Sequence, residues 1–161
     1  MKTTKHIVLI ISVLIGLLTT ACTQSDGHIG PIFGSWILDS ETVDGTAVEV
    51  RDETGTFTVW RFQQCVIGVG RCNDAKYSAS QSYGNFELTD GDKTLQLDFT
   101  GQDDAPAHQE GGYYWAPYWM GFPKTGKFTL TVDRLNGSKM DLTWNDSESG
   151  KVYQYHFRKT W

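Results

Sequence analysis

The amino-acid sequence predicts an all-β domain of antiparallel strands, and three observations support this prediction. Apolar and polar residues alternate across 95–99, 128–132 and 140–144, which is the pattern of strands with one buried face. Asn136-Gly137 separates two of these runs, and this dipeptide favours the two-residue turn of a β-hairpin. No window after residue 21 has the period of an amphipathic helix.

Residues 1–21 have the layout of a removable secretory signal. Lys2 and Lys5 make the start basic, and a 12-residue, mainly apolar run follows from Ile7 to Leu18. This run is shorter than the roughly 20 residues that span a bilayer as a helix. A basic region, an apolar region and small residues in this order are typical of a signal peptide.

Leu18-Thr19-Thr20-Ala21-Cys22 resembles the lipobox of bacterial lipoproteins. The resemblance implies cleavage before Cys22, transfer of diacylglycerol to its thiol, and acylation of the new amine, with palmitate as a typical chain. Thr23 follows the cysteine where aspartate would signal retention at an inner membrane, which implies the outer membrane. The domain then faces either the periplasm or the exterior. The alternative is an ordinary signal peptide with a chance cysteine.

The expected order of segments is a signal peptide over 1–21, a lipidated tether over 22–31 and one β domain over 32–161. Asp44-Gly45 and Asp90-Gly91 mark turns between strands, and 145–150 is a longer polar turn. Short strands joined mainly by hairpins are typical of a sandwich or a closed barrel. The predicted strands, some of which will merge or vanish, lie near 33–40, 47–51, 56–65, 75–80, 83–89, 94–100, 111–121, 126–135, 139–145 and 151–159.

Cys65 and Cys72 are predicted to form a structural disulfide. An exported protein meets an oxidising compartment, and Gly68 and Gly70 would let the intervening loop turn tightly. Closing a loop of about eight residues stabilises a fold by about 2.5 kcal/mol in the chain-entropy model. Zinc would need two more ligands and a redox pair would need the Cys-x-x-Cys spacing, so we expect neither a metal nor thiol chemistry.

The charge and motif content argue against two classes of function. The net charge is −5, and removal of Lys2 and Lys5 with the signal takes it to −7. This balance argues against a nucleic-acid binder, which needs a basic surface. The sequence contains no nucleophile elbow, zinc-protease helix or phosphate-binding glycine loop. We therefore expect no enzyme activity and no cofactor.

Gly34-Ser35-Trp36 on the first strand and Arg158 on the last resemble the lipocalins. In that family a Gly-x-Trp of the first strand packs against a basic residue from the end of the barrel. The resemblance, which extends to bacterial lipocalin-like lipoproteins, implies a calycin-type barrel of about eight antiparallel strands. It also implies that Gly34, Trp36 and Arg158 close one end, with the cation over the Trp36 ring, a contact worth about 0.5–2 kcal/mol.

Residues 112–123 are unusually aromatic and do not alternate cleanly. Tyr and Trp combine a large apolar face with a polar tip, which suits a cavity mouth, a sugar platform or an interface. The alternative is a strand that packs its aromatic residues on both faces and ends in an edge interrupted by proline, since aromatic-rich cores are ordinary in small β proteins. The acidic loop before it, 101–112, is a candidate lid or partner-binding loop. The candidate ligand-binding residues are Tyr113, Trp115, Tyr118 and Trp119.

Together these features predict a monomeric, membrane-anchored, lipocalin-like lipoprotein that binds a small or apolar ligand without catalysis. A barrel of about eight strands has room for one small ligand or for its own side chains alone. One alternative is a protein-interaction barrel, an inhibitor of a lytic enzyme or an envelope scaffold, whose acidic surface would suit a cationic envelope protein. Another is a surface glycan-binding accessory.

Overall fold

The computed structural model describes residues 30–73, 76–101, 116–123 and 125–160, with the backbone alone at 76–81 and 118. These residues form nine antiparallel strands and one 3₁₀ turn, Tyr118–Met120. The strands are β1 (Gly34–Val43), β2 (Thr46–Val48), β3 (Phe57–Gln63), β4 (Val66–Asn73), β5 (Lys76–Thr89), β6 (Thr94–Asp98), β7 (Lys127–Leu135), β8 (Lys139–Asn145) and β9 (Val152–Lys159). No helix among the described residues is long and apolar enough to cross a membrane.

The sheet closes on itself because β1 pairs along both of its edges. Residues 34–37 pair with β3, and residues 36–43 pair with β9. The order β1-β3-β4-β5-β6-β7-β8-β9 is thus a closed barrel of eight strands, which confirms the predicted fold class. The short β2 lies outside this circuit and pairs only with the far end of β1, at 41–43.

The connections between strands divide the barrel into two unlike ends. The N-terminal end holds the start of β1, the end of β9 and three tight turns, at 64–65, 90–93 and 136–138. The opposite end, called here the long-loop end, holds the β2–β3 and β8–β9 connections and the long β6–β7 connection, 99–126. The described chain therefore begins at the end opposite its longest loop.

Large apolar side chains fill the barrel interior. They come from alternate positions of the strands, as expected for a barrel wall with one inner face. The fully buried ones include Trp36, Trp60, Ile67, Leu95, Leu130, Met140, Leu142, Tyr155 and Phe157. β6 to β9 supply their part of the core from the alternating runs of the sequence, whereas β3 and β4 are buried at consecutive positions, 57–60 and 67–70.

The strand prediction was wrong in two segments, 66–73 and 111–121. Residues 66–73, for which no strand was predicted, form β4. The predicted strands 75–80 and 83–89 merge into a single strand, β5, as was expected for some of the predicted strands. The predicted strand 111–121 has no strand structure where it is described, because residues 118–120 form a 3₁₀ turn. The Met120 N–H donates to the Pro117 carbonyl at 2.9 Å, and Pro117 itself has no N–H to give to a sheet.

The predicted Cys65–Cys72 disulfide is also wrong. The segment between the two residues is strand β4, not a turning loop. Cys65 is exposed in the β3–β4 turn, Cys72 is buried near the other end of β4, and both are free thiols. Seven residues of extended strand separate their Cα atoms by roughly 20 Å, whereas a disulfide needs less than about 7 Å.

We expect the folded protein to contain no bond between Cys65 and Cys72. Under denaturing, non-reducing conditions a thiol reagent should modify both residues, because the β4 pairing holds them apart. The urea midpoint should be the same with and without reductant, and Cys65→Ser should change the unfolding free energy by less than about 0.5 kcal/mol. A midpoint that falls in reductant would contradict the structure, since losing a native disulfide costs about 2–5 kcal/mol.

Candidate functional site

Trp36 closes the N-terminal end of the barrel. Its side chain is fully buried, and its Nε1–H donates to the Ile32 carbonyl at 2.6 Å. The Nζ atom of Lys159 lies 5.1 Å from the centre of the Trp36 ring and donates to the Pro31 carbonyl at 2.8 Å. Partial burial lowers the pKa of Lys159. Gly34 begins this strand with a φ of 112°, which strains any residue with a Cβ.

The prediction that Arg158 covers the Trp36 ring was wrong by one residue. In the β1–β9 register, Trp36 stands opposite Lys159 and Ile37 stands opposite Arg158. Because side chains alternate between faces, Lys159 shares the face of Trp36 and Arg158 lies on the outer face. There its Nε–H donates to an Asp39 carboxylate oxygen at 2.7 Å.

A matched pair of variants tests this assignment. We expect Lys159→Met to lower the unfolding free energy by about 1 kcal/mol, because it removes a cation–π contact and a hydrogen bond. Arg158→Met should change it by less than about 0.5 kcal/mol, since an exposed ion pair contributes little. Urea unfolding at neutral pH measures both changes. If Arg158→Met lowered the unfolding free energy more than Lys159→Met does, Arg158 and not Lys159 would be the residue that covers the Trp36 ring.

The four predicted ligand-binding residues are not brought together as one described site. Tyr113 and Trp115 lie outside the described residues, as does most of the predicted lid 101–112. Tyr118 is placed by its backbone in the 3₁₀ turn. Trp119 is partly buried and packs against the main core. Their binding role stays a prediction.

The described part of the aromatic segment, 116–123, folds back into the barrel from the long-loop end. Phe122 is only 3% exposed. Its ring centre lies 4.3 Å from that of Phe128, 5.3 Å from Trp144 and 5.6 Å from Tyr155. Segment 116–123 therefore occupies interior space that a ligand would otherwise take, and sequence reasoning did not single out Phe122.

Polar contacts hold the same segment in place. The Trp60 Nε1–H donates to the Met120 sulfur at 3.2 Å, and the Tyr155 hydroxyl donates to the Met120 carbonyl at 2.9 Å. Gly121 has a φ of 77°, and a Cβ on it would come within 2.8 Å of the Tyr153 ring. The turn that inserts Met120 and Phe122 therefore requires glycine at this position.

Glu41 is an ionisable side chain that lies largely buried near the long-loop end of the barrel. It is 9% exposed and stands opposite Tyr155 across the β1–β9 ladder, so both side chains face the interior. Burial raises the pKa of its carboxyl to about 7, and its charge contributes to raising the pKa of the Tyr155 phenol. The register shift between Leu38 and Ser40 brings Glu41 to this face.

Two surface pockets occur away from segment 116–123. One of about 370 Å³ lies at the N-terminal end, with Ile32, Phe33, Phe86, Leu88 and Cys65 among its lining residues. The other, of about 330 Å³, lies across β5, β6 and β7. Neither contains a predicted ligand-binding residue. Within the described ranges, no three His, Cys, Asp or Glu side chains gather as a metal site.

Comparison with solved structures identifies the fold. A lipocalin-like protein from Bacteroides uniformis superposes with a TM-score of 0.53 at 21% sequence identity, covering 81% of this chain and 99% of that one. An uncharacterized protein from Bacteroides eggerthii superposes with a TM-score of 0.54 at 22% identity, covering 80% and 98% respectively. No protein-family model matches the sequence, and no curated protein is significantly similar to it. The chain thus has a lipocalin-like barrel fold.

Proposed function

We propose that this protein is a lipid-anchored lipoprotein of the bacterial outer membrane whose barrel is a non-catalytic module that binds a small or apolar ligand at the long-loop end. The observation that carries the proposal is the lipocalin-like barrel fold, whose longest connection brings aromatic side chains to that end. Apolar rings that enter the barrel from a long connection offer the contacts that small-molecule sites use.

The place where the described chain begins supports a ligand site at the long-loop end, because it would keep the opposite end of the barrel near the membrane. The described chain begins at Gly30, at the N-terminal end, and Cys22 lies eight residues earlier. Eight extended residues reach at most about 29 Å, so an acyl anchor on Cys22 would keep the N-terminal end near the membrane. The long-loop end would then face away from the lipid, toward soluble ligands or partners.

We expect Cys22→Ala to abolish attachment. Radiolabelled palmitate fed to the producing bacteria should enter the wild-type protein and not the variant, because the lipobox thiol is the acceptor. The wild-type protein should sediment with outer membranes, since two or three acyl chains hold a protein where one barely does. Cys65→Ser is the matched control and should label normally. Palmitate label in Cys22→Ala would refute the anchor.

Native mass spectrometry of the protein, gently extracted with its anchor from its own envelope, tests the binding function. We expect a reproducible adduct of small mass that organic solvent releases. Because Phe122 and Met120 occupy the interior, a ligand must displace them or rest on them at the long-loop end. Binding should therefore shift the tryptophan fluorescence of the protein. A bare protein, or one that carries only a macromolecular partner, would overturn the proposal.

The filled interior also favours a second candidate function, a protein-interaction barrel. An interior closed by its own side chains leaves loops and outer surface for recognition. Exposed acidic residues at the long-loop end would suit a cationic partner, such as a lytic enzyme, through electrostatic steering. They include Asp44, Glu49, Glu53 and Glu148. Recovery of a basic envelope protein with the bare barrel would favour this function.

A further inference from the structure

A pocket of about 370 Å³ opens at the N-terminal end of the barrel, opposite the proposed ligand site. Its volume lies within the range of small-molecule sites, about 300–1,000 Å³. The pocket lies between the β3–β4 turn, the last residues of β5 and the first described residues of the chain. Because Gly30 is itself a lining residue, the described chain begins at this pocket.

The lining of the pocket combines apolar walls with negative charge. Phe33, Phe86 and Leu88 are partly buried against the main core. Glu87 and Asp92 are exposed and acidic, and no cation occurs among the lining residues that the structure describes. These charges would repel a free fatty acid or an anionic lipid headgroup. The lining therefore suits a hydrocarbon chain that carries no charged head.

The acyl anchor proposed on Cys22 would supply such a chain close to the pocket. Eight residues lead from Cys22 to Gly30, and eight extended residues reach at most about 29 Å. The acyl chains of a lipidated cysteine end in ester and amide bonds, which carry no charge. A tether this short gives the group at its end an effective concentration on the order of 1 mM.

From this placement we propose that one acyl chain of the lipidated Cys22 occupies the pocket, against Phe33, Phe86 and Leu88, while the remaining acyl chains hold the membrane. The inference rests on the proposed lipid anchor and is independent of the ligand site at the long-loop end. Covering the apolar walls with hydrocarbon removes them from water, which is favourable. Since a protein held by fewer acyl chains leaves a membrane more readily, an occupied pocket loosens the attachment.

A photoactivatable fatty acid tests this placement in the producing bacteria. Cells fed a palmitate analogue with a diazirine in its chain should incorporate it at Cys22. After irradiation of the envelopes, peptide mass spectrometry should find the Cys22 chain bonded to Phe33, Phe86 or Leu88. Cys65→Trp, which adds a large ring to the lining from an exposed position, should lower this yield at least about fivefold, because an overfilled site excludes its occupant. Cys65→Ser is the matched control and should keep the wild-type yield.

Cys22→Ala distinguishes the protein's own acyl chain from the lipid around it, because the analogue also enters membrane phospholipids. Pocket bonds that persist in Cys22→Ala would assign the pocket to bilayer lipid and overturn the inference. Bonds from the Cys22 chain to lipid alone, or equal yields in Cys65→Trp and Cys65→Ser, would overturn it as well, although label on Cys22 would still support the anchor. If Cys22 takes up no analogue, the anchor and the inference both fail. Should Cys65→Trp not fold, the wild-type and Cys22→Ala yields decide the question.

Discussion

Replacement of Phe122 by alanine is expected to lower the unfolding free energy by about 3–5 kcal/mol, the cost of deleting a large aromatic side chain from a packed core. Phe122 is almost fully buried and contacts rings from β7, β8 and β9. The variant should also gain binding of an apolar dye or benzene, because the vacated space is lined by aromatic side chains. Urea unfolding and fluorescence titration measure the two effects.

Phe86→Ala is the matched control for this variant. Phe86 is only partly buried and packs edge-on against Phe62, with ring centres 4.9 Å apart. Phe86→Ala should lower the unfolding free energy clearly less than Phe122→Ala does, and it should not open the interior at the long-loop end. If Phe122→Ala costs less than about 1 kcal/mol, segment 116–123 spends little time inside the barrel, and the interior is available to a ligand.

Glu41→Gln is expected to stabilise the protein by about 1–2 kcal/mol at pH 8, because water screens part of the burial penalty, and to have almost no effect at pH 4. The folded-state pKa of about 7 lies above the ordinary value of 4.5, so the folded state holds this proton more tightly than the unfolded state. The wild-type protein should therefore lose stability as the pH rises from 4.5 to about 7. The glutamine variant lacks this loss because it cannot ionise.

Unfolding free energies of the two proteins, measured from pH 4 to pH 8, test this expectation. Glu49→Gln controls for the removal of one negative charge and should follow the wild-type curve, because Glu49 is exposed. Parallel curves for Glu41→Gln and the wild type would show that the carboxyl is not buried as described.

The alternation of apolar and polar residues along the sequence was sufficient to predict most strands of the barrel wall. The runs around Leu95, Leu130, Leu142 and Tyr155 became β6, β7, β8 and β9, because alternation encodes which side chains a strand can bury. Asn136 lies in the β7–β8 turn, where its side-chain oxygen accepts hydrogen bonds from the backbone. These features depend on residues close together in the chain, so the sequence alone displays them.

The strand β4 shows where local pattern misleads. Gly68 and Gly70 indicated a tight turn, but they lie within a strand, opposite Arg61 and Val59 of β3 and paired with β5 on the other side. Pairing on both edges outweighs the weak strand preference of glycine. The disulfide prediction failed with the turn prediction, because the distance between two cysteines depends on the path of the chain between them.

By itself, the sequence determined the all-β class, the near-eight-stranded barrel and the resemblance that the structural comparison supports. Only the tertiary structure decided that Lys159 rather than Arg158 covers Trp36, that Phe122 enters the interior, and that Glu41 faces it. Each depends on cross-strand register, on a bulge or on a long connection folding back. A shift of one residue in register exchanges the inner and outer faces of a strand, and no local pattern fixes such long-range pairing.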